Sequence, residues 1–163
     1  MMDDAEKLIQ QGQQLMSQGE YQQALQKFDK AIKADPKNAE AYYLKAEAAV
    51  VVPKVSVEEI LALYNKAIEL DPKNPFYYSS MGAFCVDVGR LNEAEAAYNK
   101  AAELDAENAP YYYSEFAVEY SRKAPIVMEQ YLDDNTRGMI AKKALRYALK
   151  SIGLDEERAK KLL

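Results

Sequence analysis

The sequence predicts an all-α fold, a solenoid of antiparallel helix pairs, and three observations lead there. A short stretch occurs three times: KAIKADPKNAEAYY from Lys30, KAIELDPKNPFYY from Lys66 and KAAELDAENAPYYY from Lys100, with starts 36 and 34 residues apart. Self-similarity at such a period marks stacked helical repeats. Each copy also reads as one helix ending, a turn, and the next helix starting. Asp35-Pro36 and Asp71-Pro72 stop a helix, because the residue before proline is pushed out of the α region. Asn38, Asn74 and Asn108 stand where an N-cap is wanted, and Pro75 suits a first helical position. Between the copies, apolar residues recur at helical spacing.

The elements follow in order. Ala5 to Ser17 carries Leu8, Ile9, Leu15 and Met16 as a helical stripe, and Gly19 ends it. Tyr21 to Ala34 is a second helix, with Ala24, Leu25, Phe28, Ala31 and Ile32 on one side. The two make an αα-hairpin that cannot bury its stripes without the next hairpin. The second unit has a longer inter-helix turn, Val50 to Val55, expected as an extended linker packed on the surface. Ser56 and Glu59 form a capping box that starts its second helix afresh. After Tyr120, residues 123–136 are expected to interrupt the pattern, with Pro125 opening a short helix from Ile126 to Leu132. Arg137 to Ile152 is then a helix with Ile140, Ala141, Ala144, Leu145, Ala148 and Ile152 as its stripe. Gly153 ends it, and Asp155 caps a last short helix.

Composition narrows the function classes. With 163 residues, 49% apolar and 29% charged, the chain is long enough for one domain with a continuous core. No apolar run is long enough to span a membrane, and the acidic Met1-Met2-Asp3-Asp4 start lacks a signal-peptide layout. One cysteine and no histidine fit a cytoplasmic setting and argue against a zinc site or a histidine-dependent nucleophile. No phosphate-binding glycine loop, metal-ligand spacing or nucleophile–base pair is present, so no enzyme, cofactor or metal is expected. Net charge is −5, unevenly spread: residues 137–163 hold eight basic and three acidic residues, the remainder 13 basic and 23 acidic. An acidic body disfavours nucleic acid as the partner.

These residues carry a family resemblance: the chain resembles a tetratricopeptide repeat protein. In residues 5–38 the family's positions hold Leu8, Gln11, Gly12, Leu15, Ala24, Phe28, Ala31 and Pro36. In residues 75–108 they hold Tyr78, Met81, Gly82, Cys85, Ala94, Tyr98, Ala101 and Ala106. The unit at 39–74 keeps Tyr42, Ala46, Ala49, Tyr64, Ala67 and Pro72, with Ile60 in place of one alanine. The family's tryptophan is absent throughout. A divergent fourth unit, 110–153 with its insertion at 123–136, and a capping helix at 155–163 complete the expected single domain. The resemblance implies a right-handed superhelix of about three full repeats plus that fourth unit.

It also implies where a ligand would lie. In the family, the first helices of successive units line a concave groove that holds a peptide or protein segment. Carried over by spacing, the groove positions are Glu40, Tyr43, Glu47, Phe76, Ser79, Asp87, Tyr111, Ser114 and Val118. Glu6, Ile9, Gln13, Met16, Val50 and Ala83 extend the set. Tyrosine offers large contact area with few rotors and a polar tip, and the acids favour a partner that is apolar with some positive charge. A lysine/asparagine/arginine clamp used by one subfamily for acidic chaperone tails is absent, since its places hold Ile9, Gln13, Leu44, Phe76 and Ser80. The expected function is a protein-interaction scaffold, a monomer or weak homo-oligomer without a membrane or nucleic-acid partner. The alternative is a structural protein that self-assembles by stacking its repeats end to end, acidic body against basic tail.

Overall fold

The structure, a computed structural model, describes residues 4–162. Among them, nine α-helices and no strand are present. They are α1 (Asp4–Ser17), α2 (Tyr21–Ala34), α3 (Ala39–Val50), α4 (Val57–Leu70), α5 (Pro75–Asp87), α6 (Leu91–Leu104), α7 (Ala109–Val127), α8 (Asp134–Ser151) and α9 (Glu156–Lys160). The chain divides into two compact units, one ending at Tyr77 and the other starting at Tyr78.

Local chemistry sets the helix ends. Asn38 caps α3 by accepting from the Ala41 N–H at 3.1 Å. Ser56 and Glu59 form the expected reciprocal box at the start of α4. Gly19 and Gly89 adopt φ of +79° and +80°, where a side chain would be strained. At each, the glycine N–H and the next N–H turn back onto carbonyls of the last helical turn: Gly19 to Met16 and Glu20 to Leu15, Gly89 to Val86 and Arg90 to Cys85. Asn108 occupies the N-cap place of α7 without capping it, because its amide donates to the Asp105 carboxylate instead, at 2.9 Å.

In the first unit, α1 packs on α2, α2 on α3 and α3 on α4. Two clusters hold it together: Ile9, Ala31 and Ala41, and Ala24, Phe28 and Ala48, with Leu44 packed against both. Close approach is enforced at Gly12, where a Cβ would collide with the Phe28 ring. Gly82 makes the same accommodation in the second unit: an added Cβ would lie 2.9 Å from Tyr98 Cδ2.

The second unit is built on aromatic stacking. Phe116 lies 5.6 Å from Tyr98, 5.4 Å from Tyr120 and, edge-on, 4.6 Å from Tyr147. Helices α7 and α8 run antiparallel, since Tyr113 meets Lys150, Phe116 meets Tyr147 and Tyr120 meets Lys143. Helix α8 runs parallel to α6, with Lys143 bonded to Glu95 and Asn99 to Tyr147. Glu95 is half-buried there. Burial alone would push its carboxyl up, but the bonds from Lys143 (2.6 Å) and Tyr147 (2.8 Å) outweigh it and hold it below the usual range.

Three expectations change. Val50 to Val55 is not extended: α3 runs to Val50, and the Val52 and Val55 N–H groups close turns onto Ala49 and Val52, with Val52 buried. Pro125 does not open a new helix. Helix α7 continues through it to Val127, and only a 3₁₀ turn, Glu129–Tyr131, follows. The proline falls in the last turn, where it forfeits a single backbone bond. Helix α8 buries Ile140 and Tyr147, whereas Ala141, Leu145, Ala148 and Ile152 stay exposed. Two apolar arcs share that helix, and the tyrosine arc is buried because it meets Phe116 and bonds Glu95 and Asn99. In α7 the buried stripe is Tyr112, Phe116, Ala117, Tyr120 and Ala124. The final position of the expected capping helix, residue 163, lies outside the described residues.

Candidate functional site

Helix α3 places Glu40, Tyr43 and Glu47 on one face, at spacings of three and four residues. Glu40 is exposed, while Tyr43 and Glu47 are half-buried. The Tyr43 ring packs 4.9 Å from Tyr77 and 6.4 Å from Tyr64. The Tyr64 hydroxyl donates to Glu47 Oε1 at 2.5 Å, a charge-assisted bond. Burial pushes the Glu47 carboxyl above the ordinary glutamate range, and the Tyr64 bond only partly offsets that. No basic side chain acts on it among the described residues. A shallow cavity of about 390 Å³ adjoins this face, lined by Glu6, Gln10, Gln13, Asn38 and Glu40. Phe76 is 63% exposed in the first turn of α5, its N–H held by the Asn74 side chain at 3.1 Å.

The opposite face of α3 differs in character. There a cavity of about 430 Å³ is lined by Leu25, Ala49 and Leu63, but Asp29 and Lys45 already neutralise each other across it at 2.6 Å.

In the second unit, Tyr111, Ser114 and Val118 share one exposed face of α7, with Tyr111 at 62% and Val118 at 51%. Ser79 is half-buried and Asp87 exposed on α5. Next to Tyr111 stands Glu115, a residue absent from the sequence-derived set. Burial pushes its carboxyl up, with Tyr98 opposing and Glu119 adding to the shift. The Tyr98 hydroxyl is buried with no partner in hydrogen-bonding geometry, and desolvation followed by the Glu115 charge raises its pKa well beyond that of a free phenol.

The two units therefore repeat one arrangement: a tyrosine, an acid four residues later, and a buried tyrosine beside that acid. Tyr43 and Glu47 correspond to Tyr111 and Glu115, 68 residues on, which is two repeats of 34. That Tyr-x-x-x-Glu recurrence was the available signal for Glu115. Tyr77 and Tyr112 are buried. Two of the extended groove positions change role: Ile9 is in the core, and Met16 packs beside Phe28. Cys85 is fully buried, and burial pushes its thiol up to about 11, which makes it inert. Among the described residues, no group of acids and thiols could hold a metal ion, and no helix is long and apolar enough to cross a membrane.

Comparison with known proteins agrees with the helix pairing. A family profile described as "TPR repeat" matches residues 12–49, and one described as "Tetratricopeptide repeat" matches residues 63–96. The chain is a tetratricopeptide repeat protein. It is similar to the TPR repeat-containing thioredoxin TTL4 of Arabidopsis thaliana, 38% identical over 68 residues, or 42% of this chain. The match spans about a tenth (10%) of that relative's length. Among solved structures, the first TPR of Spaghetti (RPAP3), bound to the HSP90 peptide SRMEEVD, is 28% identical with a TM-score of 0.59. It covers 64% of this chain and 81% of its own. MamA superposes with a TM-score of 0.72 at 21% identity, over 96% of this chain and 81% of its own, a likeness of fold.

Proposed function

We propose that this tetratricopeptide repeat protein is an interaction scaffold that binds a peptide or protein segment along the first-helix faces of its repeats. The ligand carries lysine or arginine beside apolar or aromatic residues. The observation that carries this reading is Glu47, a partly desolvated carboxylate among tyrosines with no cation to balance it. The contrast with Glu95 is direct. Both are half-buried, yet Glu95 has Lys143 and is stabilised as an anion, whereas Glu47 has only a phenol. An uncompensated buried charge costs stability, and an arriving ammonium or guanidinium would relieve that cost. Tyr43, Phe76 and Tyr111 supply apolar contact area at low entropic cost. Glu40 and Asp87, both exposed, would act mainly on the association rate, in a salt-dependent way. Ser79, Ser114 and Val118 flank the anchors.

The neighbouring Spaghetti repeat holds SRMEEVD, an acidic peptide. A ligand of that kind would meet Glu40 and Glu47 with like charge. Two of the clamp positions that would grip such a tail, Ile9 and Leu44, are committed to core packing here. The scaffold role carries over from that neighbour, and the ligand's sign is reversed.

A selection from a random displayed peptide library tests this. Enriched peptides are expected to combine lysine or arginine with a large apolar residue. Fluorescence anisotropy on one such peptide should show Tyr43→Ala weakening binding by about 1–2 kcal/mol. Enrichment of acidic peptides, or equal affinity for wild type and Tyr43→Ala, would reject this site.

A further inference from the structure

Helix α8 carries a second apolar arc that nothing among the described residues covers. Ala141, Leu145, Ala148 and Ile152 recur at spacings of three and four, and Leu145 and Ile152 are 56% and 68% exposed. Gly138 extends the arc toward the start of the helix, and a Cβ there would meet open space. Beside it, the end of α7 and the start of α8 enclose a cavity of about 260 Å³ whose walls include Pro125, Leu132 and Ala141. The apolar arc and the cavity meet at Ala141.

The packing of this chain shows what such a face receives. Helix α2 is covered by α3, and α6 by α7, each the first helix of the following pair. Helix α8 is the corresponding second helix of its pair, and among the described residues the element after it is the five-residue α9, whose Glu156 meets Arg146 at 3.6 Å and leaves Leu145 and Ile152 open. The outer face of a helical repeat must be polar to remain bare. This one is apolar and is rimmed by Arg137 and Lys142, which form no ion pair among the described residues.

We infer that the exposed arc of α8, together with the adjoining α7–α8 cavity, is a second docking site, for an amphipathic helix bearing carboxylates. The helix takes the place that the first helix of a next repeat would take. Its apolar face covers Leu145 and Ile152, and its acids pair with Arg137 and Lys142. A symmetric pairing of two copies through this face is disfavoured, because it would set each basic rim against its own duplicate. A concave, half-walled groove also suits a helix better than a flat lipid surface.

The test uses a labelled synthetic peptide of about 18 residues with leucine at heptad a and d positions and glutamate at e and g. A second peptide has lysine in place of glutamate. Anisotropy titrations are run on wild type and on Leu145→Glu, Ile152→Glu, Lys142→Glu and Tyr43→Ala. The altered α8 side chains are exposed or at the rim, and an unchanged melting curve confirms that each variant folds. The acidic peptide is expected to bind wild type and Tyr43→Ala alike and to bind Leu145→Glu and Ile152→Glu at least about tenfold more weakly. Lys142→Glu should lose most of the preference for the acidic over the basic peptide. Equal binding by wild type and Leu145→Glu would overturn the site. So would self-association by light scattering that Leu145→Glu abolishes, which assigns the face to a second copy. Sedimentation with phosphatidylserine vesicles, lost in Leu145→Glu and without peptide binding, would likewise overturn it in favour of a membrane.

Discussion

Replacing Phe28 with alanine is expected to lower the stability of the first unit by about 3–5 kcal/mol. Phe28 is fully buried, and its ring fills the space that Gly12 leaves between α1 and α2 while packing with Ala24 and Ala48. Small residues let the helices approach closely here, and the larger neighbours Leu15, Met16, Tyr21, Leu25 and Leu44 are already packed against the cluster, so filling the void would cost contacts they make now. Relaxation is therefore partial, and the cost is that of a large-to-small substitution in a packed core. Urea denaturation followed by circular dichroism measures the loss, and a loss under about 1 kcal/mol would show that the α1–α2 contact is not a packed core.

Gly82→Leu should destabilise the second unit by about 1–3 kcal/mol, in the opposite way, by overfilling. A Cβ at Gly82 would lie 2.9 Å from Tyr98 Cδ2 and 3.4 Å from the Ala97 Cβ. Tyr98 has no freedom to yield, since its ring is fully buried against Phe116. Leucine adds three more carbons beyond that Cβ, so α5 and α6 must separate or Tyr98 must leave its rotamer. Shortening Tyr98 should restore part of the loss, because the two substitutions share one contact and are not additive. A melting curve unmoved by Gly82→Leu would remove the close-contact interpretation of the small residues.

The helix pairing was legible in the sequence because it depends on local chemistry repeated at one period. The Ser56–Glu59 box, the Gly19 helix end and the small residues at 12, 24, 31, 82, 94 and 101 each act within one turn or one hairpin. What the sequence left open depended on choosing between competing surfaces. Helix α8 offers two apolar arcs of helical spacing, and only the presence of Phe116, Glu95 and Asn99 selects the one containing Tyr147. Pro125 reads as a break, yet the last turn of a 19-residue helix tolerates it. The candidate site was half visible: spacing put Glu40, Tyr43 and Glu47 on one face. That Glu47 is desolvated, with only the phenol of Tyr64 bonded to it, depends on how its helix packs, and Glu115 was passed over for its neighbour Ser114.

The charge state of Glu47 is the property on which the proposed recognition depends. A carboxyl raised in the folded state binds its proton more tightly than the unfolded chain does. Relative to a Glu47→Gln variant, the fold is therefore weakened above that raised pKa, and the difference fades as pH falls through it. Carbon-13 NMR titration of the Glu47 side-chain carboxyl, free and saturated with a library-selected cationic peptide, reads this directly. A titration above the ordinary glutamate range in the free protein, falling when the peptide binds, is the predicted result. A Glu47 that titrates in the ordinary range and does not move on saturation would contradict it.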